Sequence, residues 1–322
     1  MELRMFKVMT WNVENLFKPG DASGPPTQST YDAKIQALAA TINAQAPDAL
    51  AVQEIGDPAA LDDLVGLFRG TWHRRVSAHP DQRHIRVAWL ARRPIAQSEE
   101  ILEFPARLQP VPVDDDGPPL GVMGRGAVAI TVMSDAGDPV QLVTTHLKSK
   151  LLTFPHGRFE PLDEDERARF AAYALYRRAA EATTLRVWVT AALMNDGQNR
   201  RLIVTGDLND TVQAATTQLL LGPPGSEIGT ASFDRPDKGD SRRLWNLAPL
   251  MPEGKNYSRI FEGRKELIDH ILVSAALVKP LNSIGIESVG ADQLSSIATN
   301  ANARRAQPSS DHAPVVATFA TL

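Results

Sequence analysis

Eight short apolar runs rich in β-branched residues recur from one end of this chain to the other, and helix-period stretches fall between them. That alternation constrains the fold more than any other feature of the sequence. The runs are FKVMTWNV (6–13), DALAVQEI (48–55), IRVAWLA (85–91), AVAITVM (127–133), VQLVTTHL (140–147), RLIVTGDL (201–208), LIDHILVS (267–274) and APVVATFA (313–320). Between them, 31–43 carries Ile35, Leu38, Ala39 and Ile42 at i, i+3, i+4, i+7 spacing, which predicts an amphipathic helix. A shorter helix is expected over 61–68, and a long one from Asp163 to about Met194, with Pro161 and Asp163 as start signals. Three stretches read as loops: 104–124, with five prolines and three consecutive aspartates, then 222–243 and 283–310. There is no internal repeat of about 20–50 residues. Strands and helices interspersed throughout predict one α/β domain over 1–322.

Composition narrows the chemistry. The 322 residues include no cysteine, which excludes disulfides, zinc–thiolate sites and a cysteine nucleophile. A net charge of -4 gives no overall basic field for gripping a polyanion, yet an enzyme that touches a few phosphates needs none. The opening MELRMFKVMTWNV has no apolar signal core, and no stretch approaches the roughly 18 apolar residues of a membrane span. The expectation is a cytoplasmic protein without a membrane partner.

Several of the strands end in polar residues that a core strand does not need. These ends are Trp11-Asn12-Val13-Glu14-Asn15, Gln53-Glu54, Thr145-His146-Leu147-Lys148, Gly206-Asp207-Leu208-Asn209-Asp210, Ile268-Asp269-His270 and Asp311-His312. Taken singly, each has an ordinary reading. A carboxylate after a strand is usually solvated, Gly-Asp-Leu-Asn-Asp can be a turn, and a histidine on an apolar strand is usually structural. Strand ends on one edge of a layered sheet fold converge in space, however, and build the site. Asp207 and Asn209 are two apart, which in an extended segment points them the same way.

The set resembles the endonuclease/exonuclease/phosphatase superfamily, the metal-dependent phosphodiesterases of DNase I-like fold. The resembling motifs are TWNVENLF (10–17), VQE (52–54), LARRPI (90–95), TTHLKSK (144–150), VTGDLND (204–210), ELIDHILVS (266–274) and SSDHAPVV (309–316). They span almost the whole chain in the family's order. The resemblance implies a four-layer α/β sandwich, two mixed β-sheets face to face with helices outside.

It also implies roles. Glu54 would be the main Mg2+ or Mn2+ ligand, Asn12 beside it would contact the metal or a phosphate oxygen, and Asp311 would complete the metal environment. Magnesium takes oxygen ligands and needs only one or two carboxylates plus substrate phosphate, which suits this set. Asp207 would orient or deprotonate the attacking water, and Asn209 would hold water or phosphate in line. His312 would donate to the phosphate, with its imidazolium stabilised by Asp269, and His146 would be a second donor. Asn15, Lys148 and Lys150 belong to the matched motifs and would line the phosphate path. Arg125, Arg259 and Arg264 are candidate substrate contacts, each with an ordinary surface arginine as the alternative. Arg178 and Glu181 read as an i, i+3 surface pair on the long helix, and His270 as structural.

The substrate is where the resemblance stops, because specificity in such folds lies in grafted loops. His146 at that motif position leans toward nuclease and sphingomyelinase branches. The expected function is a phosphodiesterase acting on DNA or RNA. The alternatives are a phosphatase or phosphodiesterase on a small phosphorylated or lipid substrate and, less favoured, a non-catalytic binding module. The loop 222–243, ending in Arg242-Arg243, is a candidate lid.

Overall fold

The computed structural model describes residues 5–279, 281–298 and 301–320. The first half of the chain contributes β1 (Phe6–Leu16), β2 (Ala49–Ile55), β3 (His73–Val76), β4 (Arg86–Ala91), β5 (Gln97–Glu103), β6 (Val122–Met133) and β7 (Pro139–His146). The second contributes β8 (Arg201–Asp207), β9 (Leu244–Asn246), β10 (Arg259–Phe261), β11 (Arg264–Glu266), β12 (Asp269–Ser274), β13 (Ile284–Ser288) and β14 (Val315–Phe319). The helices are α1 (Gln28–Gln45), α2 (Pro58–Gly66), α3 (Glu164–Leu193), α4 (Ala215–Leu221) and α5 (Ala275–Val278).

Two six-stranded mixed sheets form, in the orders β13-β14-β1-β2-β4-β3 and β5-β6-β7-β8-β12-β9, and β10 and β11 make a separate hairpin. The strands explain why the sequence runs were continuously apolar rather than alternating. Along β1, Phe6 and Val8 enter the core between the sheets, while Met9, Trp11 and Val13 face α1 and α2 on the other side. β8 behaves likewise, with Ile203 between the sheets and Leu202 and Val204 beneath α3. Strands covered on both faces carry no polar alternation. The resulting layers are helix, sheet, sheet, helix. Trp89 is fully buried between the sheets, and its indole Nε1 donates to Val128 O at 3.0 Å, joining one sheet to the other.

Local signals set the helix starts. Thr27 caps α1 in a reciprocal capping box with Thr30. Asp57 caps α2 ahead of Pro58, and the Asp163 side chain accepts from Glu166 N at the start of α3. All eight apolar runs become strands. β3, β5 and β9–β11 were not expected, because they are short or polar, and β13 lies in what reads as the loop 283–310. Residues 299–300 of that loop lie outside the described residues. Among the described residues, no helix is long and apolar enough to cross a membrane.

Topology brings the motif ends together. β1 and β2 are parallel, as are β7 and β8, so the C-terminal ends of each pair lie at one sheet edge. β12 is antiparallel to β8 and β14 to β1, which places their N-terminal ends at the same edge. All six polar strand ends therefore meet. Bonds near the ends of β1 and β14 fasten the junction: Ser310 Oγ donates to Asn12 O at 2.6 Å, and Trp11 Nε1 donates to His312 O at 2.8 Å.

Candidate active site

Four non-glycine residues at this edge have left-handed backbone: Glu14, Asn15, Glu54 and Asn209, with φ of 51°, 50°, 66° and 53°. Such conformations are held only where surrounding structure over-determines them, and they gather at functional sites. They turn the ends of β1, β2 and β8 sharply, so that the side chains line one cavity of about 770 Å³. Asp207 and Asn209 both line it, but not through an extended segment. The Asn209 N–H donates to Asp207 Oδ1 at 2.9 Å, an Asx turn that folds the two together.

The deepest part is a chain of buried titratable groups. His312 donates through Nδ1 to Asp269 Oδ2 at 2.7 Å, and its Nε2 lies 4.0 Å from Asp207 Oδ2. Asp269 and Asp207 are register partners on β12 and β8, and His146 is Asp207's partner on β7. His146 Nε2 lies 3.3 Å from Asp207 Oδ2. Burial opposes charge on His312, but the Asp269, Asp311 and Asp207 carboxylates outweigh it and push its pKa up to about 10. Burial and the neighbouring Asp269 push Asp207 up to about 6. Burial holds His146 neutral, well below the ordinary histidine value, and the Arg125 and His312 charges add to the effect.

Glu54 sits beside this chain. Asn12 Nδ2 donates both to Glu54 Oε1, at 3.1 Å, and to Asp207 Oδ2, at 3.0 Å, while the Asn15 N–H donates to Glu54 Oε2 at 2.8 Å. Asn12 Oδ1 accepts the Glu14 N–H at 3.0 Å, so Asn12 braces Glu54 against Asp207 and does not turn its oxygen to the cavity. Among the described residues, neither Glu54 nor Asp311 has an ion-pair partner, and both line the cavity. Two carboxylates without a close ion pair, and no sulfur nearby, fit a hard divalent cation. The tightest ligand-like cluster among the described residues is instead Asp207, Asp269 and His312, with atoms within 4.8 Å of one another. The His312–Asp269 hydrogen bond occupies Nδ1 and leaves Nε2 facing Asp207 at 4.0 Å, a geometry that suits passing a proton along the chain.

Arg125 and Arg264 line the cavity, as do Asn15, Lys150 and Arg259. Arg125 is tied to Asp81 at 2.8 Å, and Arg264 is mostly exposed. Lys148 does not line it. Its Nζ donates to the Ser149 and Leu151 carbonyls, and burial with Arg177 and Arg125 nearby lowers its pKa to about 8. Glu14, Arg304 and Arg83 also line the cavity and were given no role by the sequence. Glu14 stands two after Asn12 in the same motif, and that spacing could have found it. Arg304, which clamps Glu14 at 2.9 and 3.1 Å, and Arg83, which donates to Asn15 Oδ1 at 2.6 Å, come from distant segments with no local signal.

Two expectations are corrected. Arg178 and Glu181 are not a surface pair: both are buried, and they hold the site's loops from behind. Arg178 donates to Asp210 Oδ2 and to Lys148 O, each at 3.0 Å. Glu181 accepts the Lys148 N–H at 2.6 Å and the Gly124 N–H at 3.1 Å. Segment 222–243 is no lid, since none of it lines the cavity. Phe233 is in the core, and Arg243 is buried on Asp237 and the Pro223 and Pro224 carbonyls. His270 is buried and satisfied, donating to Asp210 O and accepting from Asn246 Nδ2.

Known structures share this architecture. Truncated Caenorhabditis elegans TDP2 matches at TM-score 0.57 and 18% identity, over 98% of this chain and 97% of that one. The human Nocturnin catalytic domain with bound sulfate matches at TM-score 0.56 and 17% identity, over 100% and 97%. Sphingomyelinase C from Streptomyces griseocarneus matches at TM-score 0.58 and 17% identity, over 98% and 99%. No curated protein sequence matches the chain. The model of the Endonuclease/Exonuclease/phosphatase family matches residues 9–312. With that match spanning nearly its whole length, and with the two-sheet sandwich and its convergent strand ends, the chain belongs to the Endonuclease/Exonuclease/phosphatase family.

Proposed function

We propose that residues 1–322 form one catalytic domain, a Mg2+- or Mn2+-dependent phosphodiesterase that hydrolyses DNA or RNA. The observation that carries this reading is the buried Asp269–His312–Asp207 chain beside the carboxylate of Glu54, which has no ion-pair partner among the described residues, on the floor of one cavity. Asp207 takes the proton of the attacking water. Asn209 orients that water or the phosphate through its Oδ1, since its Nδ2 is already committed to Leu147 O at 3.0 Å. His312, protonated across the neutral range, donates to the phosphate as negative charge builds, and Asp269 is the positioning residue that fixes its tautomer. Neutral His146 backs Asp207. Glu54 and Asp311 would hold the divalent cation, which supplies Lewis-acid polarisation of the phosphoryl oxygen.

Hydrolysis of bis(p-nitrophenyl) phosphate and of a labelled oligonucleotide, with Mg2+, Mn2+ or EDTA, tests this against His312→Ala. Metal-dependent cleavage of both substrates, lost in the variant, supports it. Cleavage of the small diester alone removes the nucleic-acid assignment, and cleavage of neither removes the enzyme.

A further inference from the structure

The walls of the cavity differ in chemistry from its floor. The floor is polar, while Leu151, Phe154, Phe159 and Pro161 from the β7–α3 connection and Phe261 with Ile297 from the hairpin side form apolar walls. The three rings are not equivalent. Phe154 carries the Arg158 guanidinium 5.7 Å from its centroid, and Phe261 carries Arg259 at 5.1 Å. Among the described residues, Phe159 has no ring or cation on its face, and it is 69% exposed. A lone exposed ring needs no explanation, but Phe159 adjoins Leu151, 41% exposed, and the buried Phe154 on the wall of this cavity, and apolar surface gathered at a groove marks ligand contact.

We infer that Phe159 is a stacking platform for a nucleobase, and that the cavity admits an unpaired nucleic-acid strand while turning a duplex away. This rests on the nuclease reading. His312, Asp207, Asn12 and Asn209 are all nearly inaccessible at the cavity floor. A duplex keeps its bases stacked inward, so carrying one of its phosphates to a recessed floor requires unpairing and unstacking. A single strand splays its bases freely and finds stacking partners in exposed aromatic rings. The Arg259 guanidinium favours this occupant over a lipid. Arg259 lines the wall over Phe261 while paired with Glu266, a polar-edged surface that suits a planar base, whereas a hydrocarbon chain would desolvate the ion pair. Arg83 donates to Asn15 Oδ1 at the rim and, among the described residues, has no carboxylate partner, so it adds a cation for a flanking phosphate.

The experiment measures kcat and KM for a short single strand, for the same sequence as a blunt duplex, and for a single strand with abasic sites flanking the scissile phosphate. Wild type, Phe159→Ala and Phe159→Tyr are compared, with thermal melting as the check on folding. The expected result is at least tenfold higher kcat/KM on the single strand than on the duplex. Phe159→Ala raises KM for the intact strand about tenfold, leaves the abasic strand unchanged, and Phe159→Tyr restores wild-type behaviour. Equal cleavage of duplex and single strand, or an unchanged KM in Phe159→Ala, overturns the inference and leaves the nuclease standing. Release of phosphocholine from sphingomyelin vesicles, with both oligonucleotides spared, overturns the inference and the nuclease reading together.

Discussion

Asp207 and Asp269 are register partners on antiparallel β8 and β12, so the sheet's own hydrogen bonding fixes two buried carboxylates side by side. The pair is tolerable because His312 donates to one and approaches the other, placing a cation between two anions. Removing that cation leaves the two carboxylates to repel each other in a dry site.

His312→Ala should therefore lower kcat by about 10²–10⁴-fold, the range of a lost general acid–base group. Asp269→Asn should retain more activity but shift its alkaline limit toward lower pH, because the largest carboxylate support for the imidazolium is gone. A pH–rate profile of both variants on bis(p-nitrophenyl) phosphate checks this, and an unshifted limb in Asp269→Asn counts against it.

Wild-type activity should hold a plateau between two limbs. Asp207, raised to about 6, loses its basic form as pH falls through about 6, and His312, raised to about 10, loses its proton as pH rises through about 10. Stability follows the same groups. Both pKa values are raised on folding, so each contribution is full below its ordinary value and lost as pH rises through its folded one. The His312 share disappears toward pH 10. Thermal melting from pH 7 to 10 should fall less steeply in His312→Gln than in wild type.

Glu54→Gln should abolish tight Mn2+ binding while leaving the fold intact, because Glu54 is only half-buried and the amide oxygen still accepts one of the two hydrogen bonds from Asn12 and Asn15. Calorimetric titration with Mn2+ reads the loss directly. Unchanged affinity would move the cation elsewhere.

Arg178→Ala should destabilise the protein by about 2 kcal/mol, since it takes one charged donor from Asp210, which keeps Lys150 and Thr216, and the donor to the Lys148 carbonyl. Trp89→Ala should cost about 3–5 kcal/mol through the cavity left between the sheets. Denaturant unfolding checks both. Only Arg178→Ala should also lower kcat, because Asp210 follows directly on Asn209 in the turn that carries Asp207.

The parts of the fold legible in the sequence were those that are apolar on both faces. β1, β2, β4, β6, β7, β8, β12 and β14 are covered above and below, so each left a continuous run. β5 faces solvent along most of its length and reads QSEEILE, which resembles no core strand. The site was legible because its side chains sit at the ends of those same strands, from Asn12 on β1 to His312 ahead of β14. Glu181 and Arg178 were misread because helix spacing gives the distance between two side chains and not which layer lies beneath them. Arg83 and Arg304 were invisible for a different reason: loops bring them to Asn15 and Glu14 across tens or hundreds of residues.

The seam between β1 and β14 has a consequence for how the protein is made. β1 emerges from the ribosome early, yet one of its two edges stays unpaired until β14, some three hundred residues later, can close it. At about 5–20 residues per second that interval lasts tens of seconds. Asn12 and Glu54 can already be placed on neighbouring strands, but His312 arrives with the very strand that covers the open edge. The nascent chain thus lacks His312 until β14 arrives, and the step that completes the sheet also completes the site.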